Sequence, residues 1–342
     1  MTAVSAAFAV MNVLVKAAID GGMNHLLLIT LRQLVATLFM APAAYFFERT
    51  CGVKPTAVVI VWIFFSALLG VSLTQYLFFI GLQHTSATFA CAFLNMVPVM
   101  TFLMALPFRV EKVNLKSKAG MTKILGAMVC IAGAVLLTLY KGSAIVSPVS
   151  HHPRFATQRL EPAAAVHIRT WKLWILGSMA LFGACSSWSS WFLIQSKITK
   201  IYPALYTGTT IMFFQSFLQV LVLSFAVQRS SPAVWVLRSN MEIAAVLYSG
   251  VVGSGICAVA SSWCIKRNGP VFAAAFSPLT QIIVGAFDFY ILGEPLHLGS
   301  VLGSILVVVG LYFLLWGKSK EAHVTELKQI IAMENKDANE KV

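Results

Sequence analysis

Residues 57–81 run for 25 positions without an Asp, Glu, Lys or Arg, and that one stretch already limits what the chain can fold into. A helix needs about 20 mostly apolar residues to cross the hydrocarbon core of a bilayer. Nine further stretches fit the same ruler: 2–20, 26–47, 86–108, 119–140, 172–195, 203–227, 241–265, 271–292 and 298–316. Ten crossings are expected, in an all-α membrane protein. Composition agrees, since 58% of the chain is hydrophobic and 11% charged, where soluble domains run at roughly 45–50% and about 25%. A water-soluble fold is excluded. The separators are short and carry turn chemistry, as in Asp20-Gly21-Gly22 and Asn268-Gly269-Pro270.

The net charge is +13, and its distribution argues against nucleic acid as the partner. Residues 317–342 hold five Lys and five acids, so the whole excess lies in the apolar body. Basic residues in a multi-spanning protein collect in cytoplasmic loops. With the N-terminus inside, the inner loops, the span ends beside them and the tail hold 16 Lys/Arg and the outer loops with their adjoining span ends hold 7, Lys16 and Arg32 being counted within spans. Both termini are expected in the cytosol. The six cysteines, Cys51, Cys91, Cys130, Cys185, Cys257 and Cys264, show no metal-ligand or disulfide spacing.

The chain also repeats. A shift of 183 lays Phe89-Ala90-Cys91-Ala92-Phe93 on Phe272-Ala273-Ala274-Ala275-Phe276 and Glu111 on Glu294. A shift of 180 lays Glu48-Arg49 on Gln228-Arg229. Each half then holds five spans. An odd number of crossings per repeat makes the second copy enter the membrane from the opposite side, the inverted pairing seen in secondary transporters. The expected division is a first repeat at 1–142, a linker at 143–170, a second repeat at 171–316 and a cytosolic tail at 317–342.

Several motifs carry a family resemblance. They are Phe47-Glu48-Arg49, Thr85-Ser86-Ala87-Thr88-Phe89-Ala90 running into Asn95-Met96-Val97-Pro98, and Leu139-Tyr140-Lys141-Gly142 in the first half. The second half adds Gly269-Pro270-Val271-Phe272, Phe276-Ser277-Pro278-Leu279 and Trp316-Gly317-Lys318. On these the chain resembles the plant nodulin-like, Walls-Are-Thin-related proteins with EamA-like repeats, within the drug/metabolite transporter superfamily. The resemblance implies ten helices and movement of small organic solutes, with amino acids and auxin-like indoles as substrate classes, and no cofactor. It also implies residence in the plasma membrane or vacuolar membrane. The chain departs from the family in starting directly on its first helix, as a shortened isoform would, and in carrying Asp288 in helix 9.

Candidate binding residues follow from what a bilayer tolerates. A charged side chain inside a span costs a few kcal/mol or more, and so tends to face a cavity or a partner. Lys16 and Arg32 are the cationic cases, suited to a substrate carboxylate, with snorkelling to water as the alternative for each. Asp288 is the deep acid and the candidate for ion or proton coupling. Helices 4 and 9 each contain a proline, Pro98 and Pro278, and paired interrupted helices point to a transporter's binding site. Asn95 lies one turn before Pro98. Asn12, Gln75, Trp188, Ser277 and Gln281 complete the candidates, Trp188 as a platform for an aromatic ligand.

Other functions lack the residues they need. All seven histidines lie in loops or the tail, and no His-Glu-x-x-His pattern occurs, which leaves an intramembrane hydrolase or metalloenzyme without ligands. The expectation is no enzyme and no metal. The lipid bilayer and a small-molecule substrate are the partners, with oligomeric state open. A nucleotide-sugar or purine carrier shares the expected fold, and a non-transporting receptor is the reading outside transport.

Overall fold

The computed structural model describes residues 1–48, 55–85, 90, 93–108, 118–139, 144–146, 163–227, 239–292, 296–297 and part of 299–320. These residues are almost wholly helical. Helix α1 (Thr2–Asp20) ends where Gly22 takes φ 95°, a left-handed turn that glycine adopts without strain. Next come α2 (His25–Glu48), α3 (Ala57–His84), α4 (Val97–Ala105) and α5 (Lys118–Leu139). Then follow α6 (Ala163–Ile201), α7 (Leu205–Val227) and α8 (Asn240–Asn268). Helix α8 starts on a capping box, Ser239 with Glu242, and stops at Gly269, φ 85°. The ninth expected span is divided into α9 (Pro270–Ala275) and α10 (Ser277–Leu292). Described residues between 299 and 320 are helical.

Five of these helices, α1, α2, α3, α7 and α8, are long and apolar enough to cross a membrane. Shorter apolar helices cover Phe93–Ala105, Gly120–Gly133 and Pro270–Val284. The sixth expected span lies inside α6, which begins at Ala163, within the segment read as linker. Ala163, Ala164 and Ala165 favour helix strongly enough to account for that earlier start. The exterior shows Phe46, Phe225 and Val222 more than 60% exposed, a surface suited to lipid rather than water.

Packing pairs the halves. Helix α2 lies along α7, the second part of α3 along α6, α1 against α10, and α4 against both α6 and α9. Helix α5 meets the 299–320 segment backbone to backbone: a Cβ on Gly126 would lie 2.5 Å from the Leu314 nitrogen, and one on Gly310 2.5 Å from the Cys130 nitrogen. Only glycine permits that approach. Strand β1 (Ala144–Val146) pairs antiparallel with β2 (Leu296–His297), bringing these two segments to one side of the bundle.

Two irregularities recur at matching places. Helix α3 carries a π-helical turn at Leu68–Leu73, and α8 one at Ser249–Ile256. A shift of 183 would carry the first onto 251–256, inside the second. Helices four and nine break at Met96 and Phe276, and each break precedes its proline by two residues.

Candidate functional site

The two breaks are the centre of the candidate site. Met96 N–H donates to the Phe93 carbonyl at 3.0 Å and Phe276 N–H to the Ala273 carbonyl at 3.3 Å, tightening the last turn before each interruption. Pro98 and Pro278 have no N–H, so the carbonyls of Leu94 and Ala274, four residues earlier, lose their helical donors. Helix α4 packs directly on α9, so both interruptions lie in one region. Each is braced by a serine from elsewhere in the chain. Ser189 of α6 donates to the Val97 carbonyl at 3.3 Å, and Ser5 of α1 donates to the Phe276 carbonyl at 3.4 Å.

Asn95 stands at the first break, 2% exposed, and among the described residues neither its Nδ2 nor its Oδ1 has a hydrogen-bond partner. An unpaired buried amide is destabilising by roughly 1–3 kcal/mol per lost partner, so this geometry suits a group that accepts and donates to something transient. Beside it α6 supplies an aromatic wall. Trp188 and Trp191 stack with centroids 5.4 Å apart at 30°, and the Trp191 Nε1 is buried without an acceptor. Gly70 makes room for that ring: a Cβ there would sit 2.0 Å from the Trp191 Cδ1.

The same face of α6 continues to Gln195, Thr199 and Tyr202, at helical spacings of three and four. Gln195 ties three helices together, accepting from Ser66 Oγ at 3.3 Å and donating to Ser262 Oγ at 2.8 Å. Gln195, Thr199, Tyr202 and Ser66 line a small cleft, with Ile63 of α3 and Met212 of α7 on its walls. At the same end Glu48, the last residue of α2, accepts from the backbone N–H groups of Tyr206 and Thr207 at 2.9 and 2.7 Å. A carboxylate there satisfies orphan amides and the positive end of the α7 dipole. Phe47 stacks on Tyr206, centroids 5.3 Å apart.

The sequence candidates divide by place. Asn95 and Pro98 are buried at the first break, with Trp188 beside it, and Ser277 is half-buried at the second. Asn12 and Gln75 are half-buried on α1 and α3. Lys16 is exposed near the end of α1, and Arg32 is 8% exposed on α2 with its Nε unpartnered. Neither lines the cleft. The side chains of Gln281 and Asp288 lie outside the described residues. Trp191, Ser66 and Ser262 were not singled out from the sequence, and Glu48 entered only as a repeat anchor and a motif residue. The spacing Trp188, Trp191, Gln195 and Thr199 on one helical face would have pointed to the aromatic and amide members.

Comparison with known proteins shows the family of the chain. The EamA-like transporter family matches at residues 1–139 and 175–316. A WAT1-related protein of Arabidopsis thaliana is 45% identical over 329 residues, 96% of this chain and 89% of the relative. A second, from the same plant, is 44% identical over 318 residues, 93% and 85% of the two chains. The Arabidopsis thaliana protein WALLS ARE THIN 1 is 38% identical over 323 residues, 94% of this chain and 83% of its own. A solved crystal structure 14% identical in sequence superposes with a TM-score of 0.64 over 90% of this chain and 93% of the other. That likeness shows a shared fold.

Proposed function

The chain belongs to the EamA-like transporter family, in its WAT1-related branch, and from that premise we propose that it moves a small organic solute by alternating access about the two broken helices. Multi-pass insertion and membership of a transporter family are its starting points. The observation that carries the proposal is the matched pair of interruptions, Met96 before Pro98 and Phe276 before Pro278, with the unpartnered Asn95 at one of them. Broken helices in corresponding positions are where secondary transporters bind their cargo.

Two inverted repeats of five helices, 1–142 and 171–316, joined by the 143–170 linker and followed by the 317–342 tail, account for the recurrences. The family match falls in two segments, and the π turns and breaks recur at shifts near 183 and 180. Ser5 and Ser189, 184 apart, each brace the broken helix of the other half. The antiparallel contact of β1 with β2 fits an even number of crossings between them. The loop charges favour both termini in the cytosol, which puts the Gln195 cleft on the cytosolic side.

The cargo proposed is an amino acid or an auxin-like indole compound, in the plasma membrane or the vacuolar membrane. Trp188 and Trp191 supply stacking surface for an indole, and Asn95 and Trp191 Nε1 supply polar atoms for its heteroatoms. Uptake and efflux of labelled amino acids and indole acids in oocytes, at two external pH values, test the reading. Flux above that of water-injected oocytes for at least one of them is expected, and none for any would contradict it.

A further inference from the structure

The cleft at the Gln195 end is walled by Ile63 and Ser66 of α3, Gln195 and Thr199 of α6, and Met212 of α7. The repeat shifts, 183 for the first and third helices of each half and 180 for the second, carry these five onto Val246, Ser249, Asn12, Lys16 and Arg32. Those residues share the opposite end of the bundle, where the first part of α8 packs on both α1 and α2. Corresponding helices also touch at corresponding levels. Ser66 Oγ approaches Met212 Sδ at 3.5 Å; across the molecule, a Cβ on Gly250, next to Ser249, would meet the Arg32 carbonyl oxygen at 3.0 Å.

The corresponding positions differ in charge. Where the cleft has neutral Thr199 and Met212, the other end has Lys16 and Arg32. Among the described residues Arg32, 8% exposed, has its Nε unpartnered, and the adjacent Gln33, 0% exposed, has no partner for either amide atom. An incompletely paired guanidinium within a membrane span is costly, and its fork of donors matches a carboxylate. At this end the packing is closed by an apolar cluster that includes Met23, Leu27, Leu28 and Val246.

We infer that this end holds a second mouth, closed in the present state, which receives a carboxylate of the cargo on Arg32, with Lys16 at its rim and Asn12 and Ser249 on its walls. The Gln195 cleft is its neutral counterpart, from which the anion leaves. The inference rests on the two-repeat transport reading and adds which closed end of the bundle meets the cargo's carboxylate and a preferred side of capture.

Ser249→Cys and Asn12→Cys place thiols in the closed mouth, and Ser66→Cys places one in the cleft. Each protein, in phosphatidylcholine vesicles, is treated from either face with membrane-impermeant methanethiosulfonates bearing a sulfonate or a trimethylammonium group, with the unsubstituted protein as background. The Ser249 and Asn12 variants should label from the Lys16 face and the Ser66 variant from the opposite face. Adding Arg32→Met should lower the sulfonate-to-trimethylammonium rate ratio at the first two by roughly ten-fold, within the range by which local fields change encounter rates. The ratio at Ser66→Cys should stay unchanged. Indole-3-acetate should protect the Ser249 thiol.

An absence of labelling at both Ser249→Cys and Asn12→Cys from the Lys16 face, or a ratio indifferent to Arg32→Met, overturns the inference. Protection by phosphatidylglycerol in the vesicles but not by indole-3-acetate assigns the mouth to a lipid headgroup and overturns it as well. The predicted labelling with no flux of any labelled carboxylate leaves the mouth standing and removes the transport reading instead.

Discussion

Met96 and Phe276, 180 residues apart, adopt the same backbone conformation, φ −81° and ψ −8° against φ −83° and ψ −6°. Each sits two residues before a proline and ends a helical segment inside a span. Two such interruptions with matching dihedrals follow from one local pattern used twice, and they set the polar backbone of both halves at the crossing of α4 with α9.

Asn95 gives the first prediction. Its amide is buried without partners, so Asn95→Leu removes an unpaired polar group at similar volume. Thermal unfolding in detergent should show a midpoint unchanged or raised, by up to about 1–2 kcal/mol in stability. A large drop would mean that Asn95 holds the fold together through contacts of its own.

Glu48 gives the second. Its carboxylate accepts two backbone N–H groups across 158 residues of sequence, and bonds to charged groups contribute about 1.5–3 kcal/mol each. Partial exposure reduces this. Glu48→Ala should lower stability by roughly 1–2 kcal/mol, Glu48→Gln by less, and protease sites near Leu205 should become easier to cut. Equal stability of all three proteins by chemical denaturation would remove the clasp.

Gly126 and Gly310 give the third. A Cβ at either would lie 2.5 Å from backbone nitrogen of the facing helix, and backbone cannot step aside as a side chain can. Gly126→Val and Gly310→Val should each abolish the monodisperse peak in size-exclusion chromatography, whereas Gly208→Ala, with ring carbons of Tyr202 no nearer than 3.6 Å, should keep it. A normal elution profile for the valine variants would show that α5 and the 299–320 segment do not cross there.

The sequence made some of this legible and hid the rest for identifiable reasons. Apolar run length located α1, α2, α3, α7 and α8 because lipid imposes that length. Pro98 and Pro278 announced the interruptions because a missing N–H is a property of the residue itself. Gln195 was visible as an interior amide, but its bridge between Ser66 and Ser262 depends on which helices become neighbours. Glu48 read as a motif residue just past the span at 26–47; its partners are backbone groups of α7, which have no side-chain signature. Serines such as Ser5 and Ser189 donate to backbone carbonyls of distant helices, Phe276 and Val97, so only the fold shows what they do.

Topology gives the fourth prediction. A tag at the C-terminus and one at His151 in the linker should be reached from opposite sides of the membrane, the C-terminal one from the cytosol. Impermeant labelling that finds both on one face would break the odd-numbered repeat and with it the inverted arrangement.

The central claim is that cargo meets the broken helices. The direct measurement is uptake of labelled indole-3-acetate and amino acids in oocytes expressing the wild type, Asn95→Ala or Pro98→Ala, with flux divided by the amount of protein at the membrane. The account predicts flux in the wild type and a fall of roughly ten-fold or more in both variants at matched protein, as expected when groups contacting the cargo are removed. Wild-type flux retained in full by both variants would contradict it.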